Sequence, residues 1–257
     1  MEKNRSFYPA ETIYGFRSRY EWVKKFLSKD DKVVDLGCGT GVMMTLPFLQ
    51  EGFDVIGVDT DTKSIEYGKN LLRKNDLSDE YLVCDDFANV SYTPNKIILS
   101  QVLEHLTDDQ IDGLLNLLYS RLEKGGLLLI TLPNGYGWFE MESFLWYKLK
   151  LGMVLTKTKL AGGYVFIKHK ILRKNTYFDE PSSLDSSPHI QRFTYSSFSK
   201  KAEQYGFKIK DRRGGGLLSG PFSSVLFTGI EWVQKMNMFL GGKFPSLASD
   251  FYIALEK

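Results

Sequence analysis

Short apolar runs alternate with amphipathic stretches along the first half of the chain. Residues 14–28 set Phe16, Tyr20, Val23, Phe26 and Leu27 at helical spacing and predict an opening helix. Asp30 and Asp31 then give way to KVVDL, a short strand, and the glycine turn GCGTG leads into a helix predicted from Val42 to Gln50. FDVIGVD predicts a second strand, after which Asp61 or Thr62 caps a helix running through Leu72. Tyr81 to Cys84 and Lys96 to Leu99 predict the third and fourth strands, and Asp108 to Leu122 an amphipathic helix closed by the turn Lys124, Gly125, Gly126. Leu127 to Leu132 is almost continuously apolar, as a parallel strand covered on both faces must be. Strands alternating with helices in this way predict βαβ units and a parallel sheet.

The rhythm breaks after Pro133 and Asn134. Residues 135–190 mix aromatics, lysines and glycines and read as an insertion over the C-terminal edge of the sheet. It resumes with a helix over Tyr195 to Tyr205 and a strand over Phe207 to Arg212. Residues 217–245, rich in Gly, Phe and Leu, predict no definite element, and Phe251 to Leu255 makes a last strand. The expected organisation is one domain over 1–257. It has an N-terminal helical segment (1–29), a ligand-binding half (30–134), the insertion (135–190) and a C-terminal completion of the sheet (191–257).

Composition narrows the class. With 257 residues, 43% hydrophobic and 25% charged, the chain reads as an ordinary globular protein able to bury a core without disulfides. Cys38 and Cys84 form no metal-ligand spacing and fit a reducing compartment. The first ten residues have no apolar core of a signal peptide, and no apolar run reaches membrane-spanning length. The expected location is the cytoplasm, with peripheral membrane attachment as an addition to it. Charge is split: residues 1–134 hold 15 Lys and Arg against 21 Asp and Glu, whereas residues 135–257 hold 18 against 10. Halves of opposite sign suggest two tasks.

The first task is legible in VVDLGCGTG (33–41). Glycines between a strand and a helix let a backbone approach a ligand closely. The dinucleotide fingerprint needs a further glycine where Val42 stands, so it fails. An acid, Asp35, two residues before Gly37 favours the cationic amino-acid end of S-adenosylmethionine instead. Asp59, with Thr60 beside it, ends the second strand and can accept the ribose hydroxyls. Asp85 and Asp86 follow the third strand, where a carboxylate can accept from the adenine amino group, with Phe87 near the ring. Ser100 and Gln101, after the fourth strand, would border the transferred methyl.

VVDLGCGTG, VIGVD (55–59), VCDDF (83–87), SQVLEHL (100–106), GGLLLITLPN (125–134) and HIQRFTYSSF (189–198) together resemble the class I S-adenosylmethionine-dependent methyltransferases, in the small-molecule branch that includes the ubiquinone-type O-methyltransferases. The resemblance covers residues 30–134 well and 189–212 more loosely. It implies a Rossmann-like, doubly wound, seven-stranded, mostly parallel sheet with the last strand antiparallel, and an inserted lid or acceptor region. It also implies a donor site built from Asp35, Gly37, Cys38, Gly39, Gly41, Asp59, Thr60, Asp85, Asp86, Phe87, Ser100 and Gln101, leaving S-adenosylhomocysteine as product. Two departures stand out. Asn95-Lys96 replaces an Asp before the fourth strand. Gln101 replaces the first acid of a Glu-x-x-Glu-His metal motif, leaving Glu104 and His105, so no metal is expected.

The acceptor side is open. His189 and His105 are candidate bases for deprotonating an acceptor hydroxyl. His105 also reads as a residue that merely orders its loop, and His169 as a surface residue. Lys148, Lys150, Lys157, Lys159, Lys168, Lys170, Arg173 and Lys174 follow a cluster of aromatics. That combination suits an anionic membrane surface or an anionic or lipid-like acceptor better than nucleic acid, and equally a solvated lid. The expected partner is a small-molecule acceptor. O-methylation is favoured over N-methylation, with a non-catalytic donor-binding protein and an RNA methyltransferase as alternatives.

Overall fold

The computed structural model describes residues 6–152, 154, 189–227 and 230–257. The first half builds the expected alternation. Helix α1 (Phe16–Lys24) leads to strand β1 (Lys32–Leu36), then α2 (Thr45–Gln50), β2 (Asp54–Asp59), α3 (Thr62–Lys74), β3 (Leu82–Cys84), β4 (Lys96–Ser100), α4 (Asp108–Arg121) and β5 (Leu127–Pro133). Short 3-10 turns at Asp79–Tyr81, Phe87–Asn89 and Leu103–His105 link them. The rest adds α5 (Trp138–Ser143), a π turn over Phe144–Lys148, α6 (Tyr195–Gln204), β6 (Lys208–Gly214), α7 (Pro221–Phe227), α8 (Glu231–Lys243) and β7 (Asp250–Glu256).

The seven strands form one sheet in the order β3-β2-β1-β4-β5-β7-β6. All pairings among β1 to β5 are parallel, and β7 runs antiparallel to both neighbours, β5 and β6. This is the architecture anticipated from the sequence. The chain winds outward in one direction from β1 and in the other from β4. The carboxyl ends of these two neighbouring strands therefore open a crevice at the switch point, where ligands of such sheets bind.

Alternation along the strands separates two apolar layers. Leu127, Leu129, Tyr252 and Ala254 face the side covered by α1, α2 and α3. Leu128, Ile130, Leu132, Phe251, Ile253 and Leu255 face the side covered by α4 and α6. Each strand residue is thus committed to one face by its parity.

Helix ends follow local chemistry. Asp61, rather than Thr62, caps α3 by accepting the Lys63 and Ser64 N–H groups. Thr107 and Gln110 form a reciprocal capping box on α4. Asn95 accepts the Lys32 N–H at 2.8 Å and donates to Asp31 at 2.7 Å. The departure before β4 therefore ties β1 and β4 together.

Two expectations are corrected. The helix after the glycine turn begins at Thr45, not Val42, because Gly41 has φ of 74° and Met44 lies outside the helical region. Among the described residues of 217–245, Pro221–Phe227 and Glu231–Lys243 form helices, and apolar side chains on their outer faces obscured the periodicity. The segment 155–188, with His169 and most of the basic run, lies outside the described residues.

Candidate active site

The turn after β1 is held from below and from the side. The Gly37 and Cys38 N–H groups donate to the Val58 carbonyl of β2 at 2.8 and 3.3 Å. Gly37 sits at φ 72°, and a Cβ there would come within 2.5 Å of Val102 on the loop after β4. A side chain is excluded twice, by conformation and by space. Gly39, at φ 55°, is different: a Cβ placed there meets nothing within 4 Å. Its open side faces outward, a cradle into which ligand atoms can come close to backbone.

Asp59 clamps this cradle. Its Oδ2 accepts the Gly39 N–H at 2.7 Å and its Oδ1 accepts the Asp61 N–H at 2.8 Å. The carboxylate stays partly exposed, and each oxygen keeps a lone pair for a ligand hydroxyl. Thr60 beside it is exposed. Cys38 is half-buried, its thiol turned toward the Gly39 carbonyl at 3.6 Å and pushed well up by burial.

Asp35 lies within β1. It is buried beneath the turn and accepts the Thr45 hydroxyl at 2.6 Å. Burial pushes its carboxyl up to about 6, against the Thr45 hydrogen bonds that lower it. Its direct contact is with the start of α2, so it acts on the turn from underneath.

After β3, Asp85 is exposed and accepts the Asp86 N–H at 2.7 Å and the Asn89 amide at 2.8 Å. Asp86 caps the next turn by accepting the Ala88 N–H. The Phe87 ring is buried in the core under the Arg121 guanidinium and supports this loop from below. At the end of β4, the Ser100 hydroxyl pairs with that of Thr131 at 2.9 Å. Gln101 adopts φ 58°, a strained conformation for a non-glycine residue, and its N–H donates to the Thr131 carbonyl.

The fold brings the two candidate bases together. Their rings meet edge to face with centroids 5.0 Å apart. The cause lies in Glu104, whose backbone carbonyl accepts the Ile190 and Gln191 N–H groups at 2.9 and 3.1 Å. These bonds lay the returning chain across the turn after β4. The Glu104 side chain is buried, neither carboxylate oxygen has a hydrogen-bond partner, and burial pushes it up to about 7. Partial enclosure of its ring, then the neighbouring His105, holds His189 below the ordinary histidine value. Ligand atoms of Glu104, His105 and His189 lie within 4.8 Å of one another, a set that could also hold a divalent ion. Sequence reasoning underrated Glu104, although an acid inside the apolar run VLEHL was its signal.

Comparison with known proteins agrees with this geometry. Residues 13–211 match the family model described as a methyltransferase domain. Over 140 residues the chain is 25% identical to sphingolipid C9-methyltransferase 1 of Gibberella zeae, covering 53% of this chain and 26% of that protein. It is 28% identical over 146 residues to the ubiquinone biosynthesis O-methyltransferase of Pelagibacter ubique, covering 52% and 59%. Each relative is thus matched over less than two-thirds of its length. The magnesium protoporphyrin IX methyltransferase of Synechocystis, solved with S-adenosylmethionine bound, shares the fold at a TM-score of 0.52 and 13% identity, covering 95% of this chain and 79% of that one. With the strand order, the clamped glycine turn and the family match over most of its length, this chain belongs to the methyltransferase-domain family.

Proposed function

We propose that the chain transfers a methyl group from S-adenosylmethionine to a hydroxyl of a small apolar or anionic acceptor. The observation that carries this reading is the open, positive-φ cradle at Gly39 clamped by the Asp59 carboxylate. When bound, the donor supplies a methyl on a positively charged sulfur, which is already a good leaving group. The chain's own work is then to bind, align and deprotonate. Gly37, Cys38, Gly39 and Gly41 bring backbone to the amino-acid end, with Asp35 ordering the turn from below. Asp59, with Thr60 beside it, takes the ribose hydroxyls. Asp85 and Asp86 edge the adenine pocket over the Phe87 support, and Ser100 and Gln101 border the methyl.

His189 is the proposed base, because it is exposed and held neutral near pH 7, and His105 assists it. A neutral imidazole can take the proton of an acceptor hydroxyl as the oxygen attacks, whereas an amine needs less help. This difference favours O-methylation. A second reading rests on the same cluster: with Glu104, the two imidazoles would hold a divalent cation in place of acting as bases. Activity that survives dialysis against a chelator would exclude the second reading.

The test is incubation of the full chain with methyl-labelled S-adenosylmethionine and a panel of phenols, carboxylates and amines, apolar and anionic. Label in a phenol is the expected result, and label in a carboxylate alone would remove the need for a base. Label only in amines would overturn the O-methylation reading. No label with intact donor binding would point to a non-catalytic binding protein.

A further inference from the structure

Helix α8 carries apolar side chains on its outer face as well as its inner one. Val233, Gln234, Asn237, Met238 and Gly241 form its buried face. Trp232, Met236 and Phe239 are turned to solvent at 67%, 47% and 65% exposure. Asn237, one of the two polar residues inside, is held by the backbone. Its Oδ1 accepts the Leu218 N–H at 2.6 Å, and its Nδ2 donates to the Leu218 carbonyl at 3.1 Å. Nothing within the described residues covers the apolar residues outside. At positions i, i+4 and i+7 they form one stripe about 10 Å long. The helix also lies beyond the residues that match the family model, so the family's shared fold does not require this stripe.

The C-terminal end of the stripe meets a cationic shelf. Phe239 and Lys243 line a shallow cavity of about 980 Å³ with Lys25 of α1 and Lys210, Arg212 and Arg213 of β6. The cavity has one acid, Asp211, whose carboxylate already accepts the Trp22 indole N–H at 3.0 Å. Lys210 pairs with Glu256, and on the helix itself Lys235 pairs with Glu231. Arg212 lies over the Tyr195 ring. Lys25, Arg213 and Lys243 make no ion pair among the described residues.

We propose that this face docks on the surface of an anionic phospholipid bilayer. Trp232, Met236 and Phe239 enter the boundary between headgroups and acyl chains, and Lys25, Arg213 and Lys243 take headgroup phosphates. An exposed aromatic stripe beside unpaired cations is the arrangement that binds in the interface plane. A protein partner would satisfy the stripe, but the cations beside it select a negative surface. Among the described residues no helix is long and apolar enough to cross a membrane, and the proposed contact lies in the interface plane. The inference goes beyond the proposed methyl transfer and does not depend on it.

The test is co-sedimentation of the full chain at low salt with vesicles of phosphatidylcholine alone or containing about one-third phosphatidylglycerol. The expected result is binding on the order of tenfold stronger to the anionic vesicles and weakened by salt. The double variant Trp232→Ser/Phe239→Ser and, separately, Lys25→Glu/Lys243→Glu should each reduce binding at least about fivefold with unchanged circular dichroism melts. Absence of binding, equal binding to neutral vesicles, or binding that neither pair of substitutions weakens would overturn the proposal. So would a dimer, seen by light scattering, that Trp232→Ser dissolves in a chain indifferent to vesicles, since the occupant would then be a second copy.

Discussion

The Asp59 carboxylate accepts the Gly39 N–H at 2.7 Å, so the end of β2 clamps the turn that follows β1. One side chain both shapes the turn and stays partly exposed beside it. Asp59→Ala should therefore remove a charge-assisted hydrogen bond to the turn together with the contact to the donor. A bond to a charged group contributes about 1.5–3 kcal/mol, so the affinity for S-adenosylmethionine should fall by at least about tenfold. Calorimetric titration checks this. Unchanged affinity would mean that the donor does not sit on this cradle.

Substituting the histidine pair should separate chemistry from donor binding. His189→Asn should lower kcat by about 10²-fold or more, and His105→Asn by less, with donor affinity retained. Because the base works unprotonated and His189 is held below 6.5, the rate of the wild-type chain should rise with pH and level off before neutrality. Steady-state rates across pH 5 to 8 test the pair. A His189→Asn profile that keeps the wild-type inflection would remove it from the base role.

Asp35 and Glu104 make stability depend on pH in an unusual direction. Both carboxyls are raised by burial, from 3.8 to about 6 and from 4.5 to about 7. The folded chain therefore binds more protons than the unfolded chain through this window. Each contribution is fully present below the unfolded value and is lost as pH rises through the folded one. Asp35→Asn and Glu104→Gln should each flatten the fall in stability from about pH 4 to 7, by at most about 3 kcal/mol. Denaturant unfolding at a series of pH values measures it, and slopes identical to wild type would contradict the assignment.

Two glycines should respond oppositely to alanine. Gly37→Ala combines a positive φ with an approach of 2.5 Å to Val102 and should cost more than about 2 kcal/mol. Gly113 lies within α4, where a Cβ meets nothing within 4 Å, so Gly113→Ala should stabilise by about 0.5–1 kcal/mol. Thermal melts of both variants decide. A Gly37→Ala chain as stable as wild type would show that the turn can move.

Much of the fold was legible because strand parity and helix period are local properties. Leu127 to Leu132 announced a strand covered on both faces by being apolar at every position but Thr131, and β5 is buried along that run. The residues of the proposed donor site could be picked out for the same reason, since they end successive strands of one sheet and keep a fixed spacing. For Phe87 the sequence shows that a ring follows β3 but not which way it points. Residues 217–245 hid their helices because α8 carries apolar side chains on both its inner and its outer face, which blurs the signal that periodicity offers.

The sequence by itself determined the alternating α/β order, the glycine turn and the acids that end β2 and follow β3. All of these are set by contacts between neighbours in the chain and by the parity of side chains. Only the tertiary structure decided that Asp35 lies beneath the turn, that His189 meets His105 across the loop after β4, and that Glu104 is buried beside them. Those relationships arise when segments distant in the chain return to the same edge of the sheet, and burial then sets the charge each group can carry.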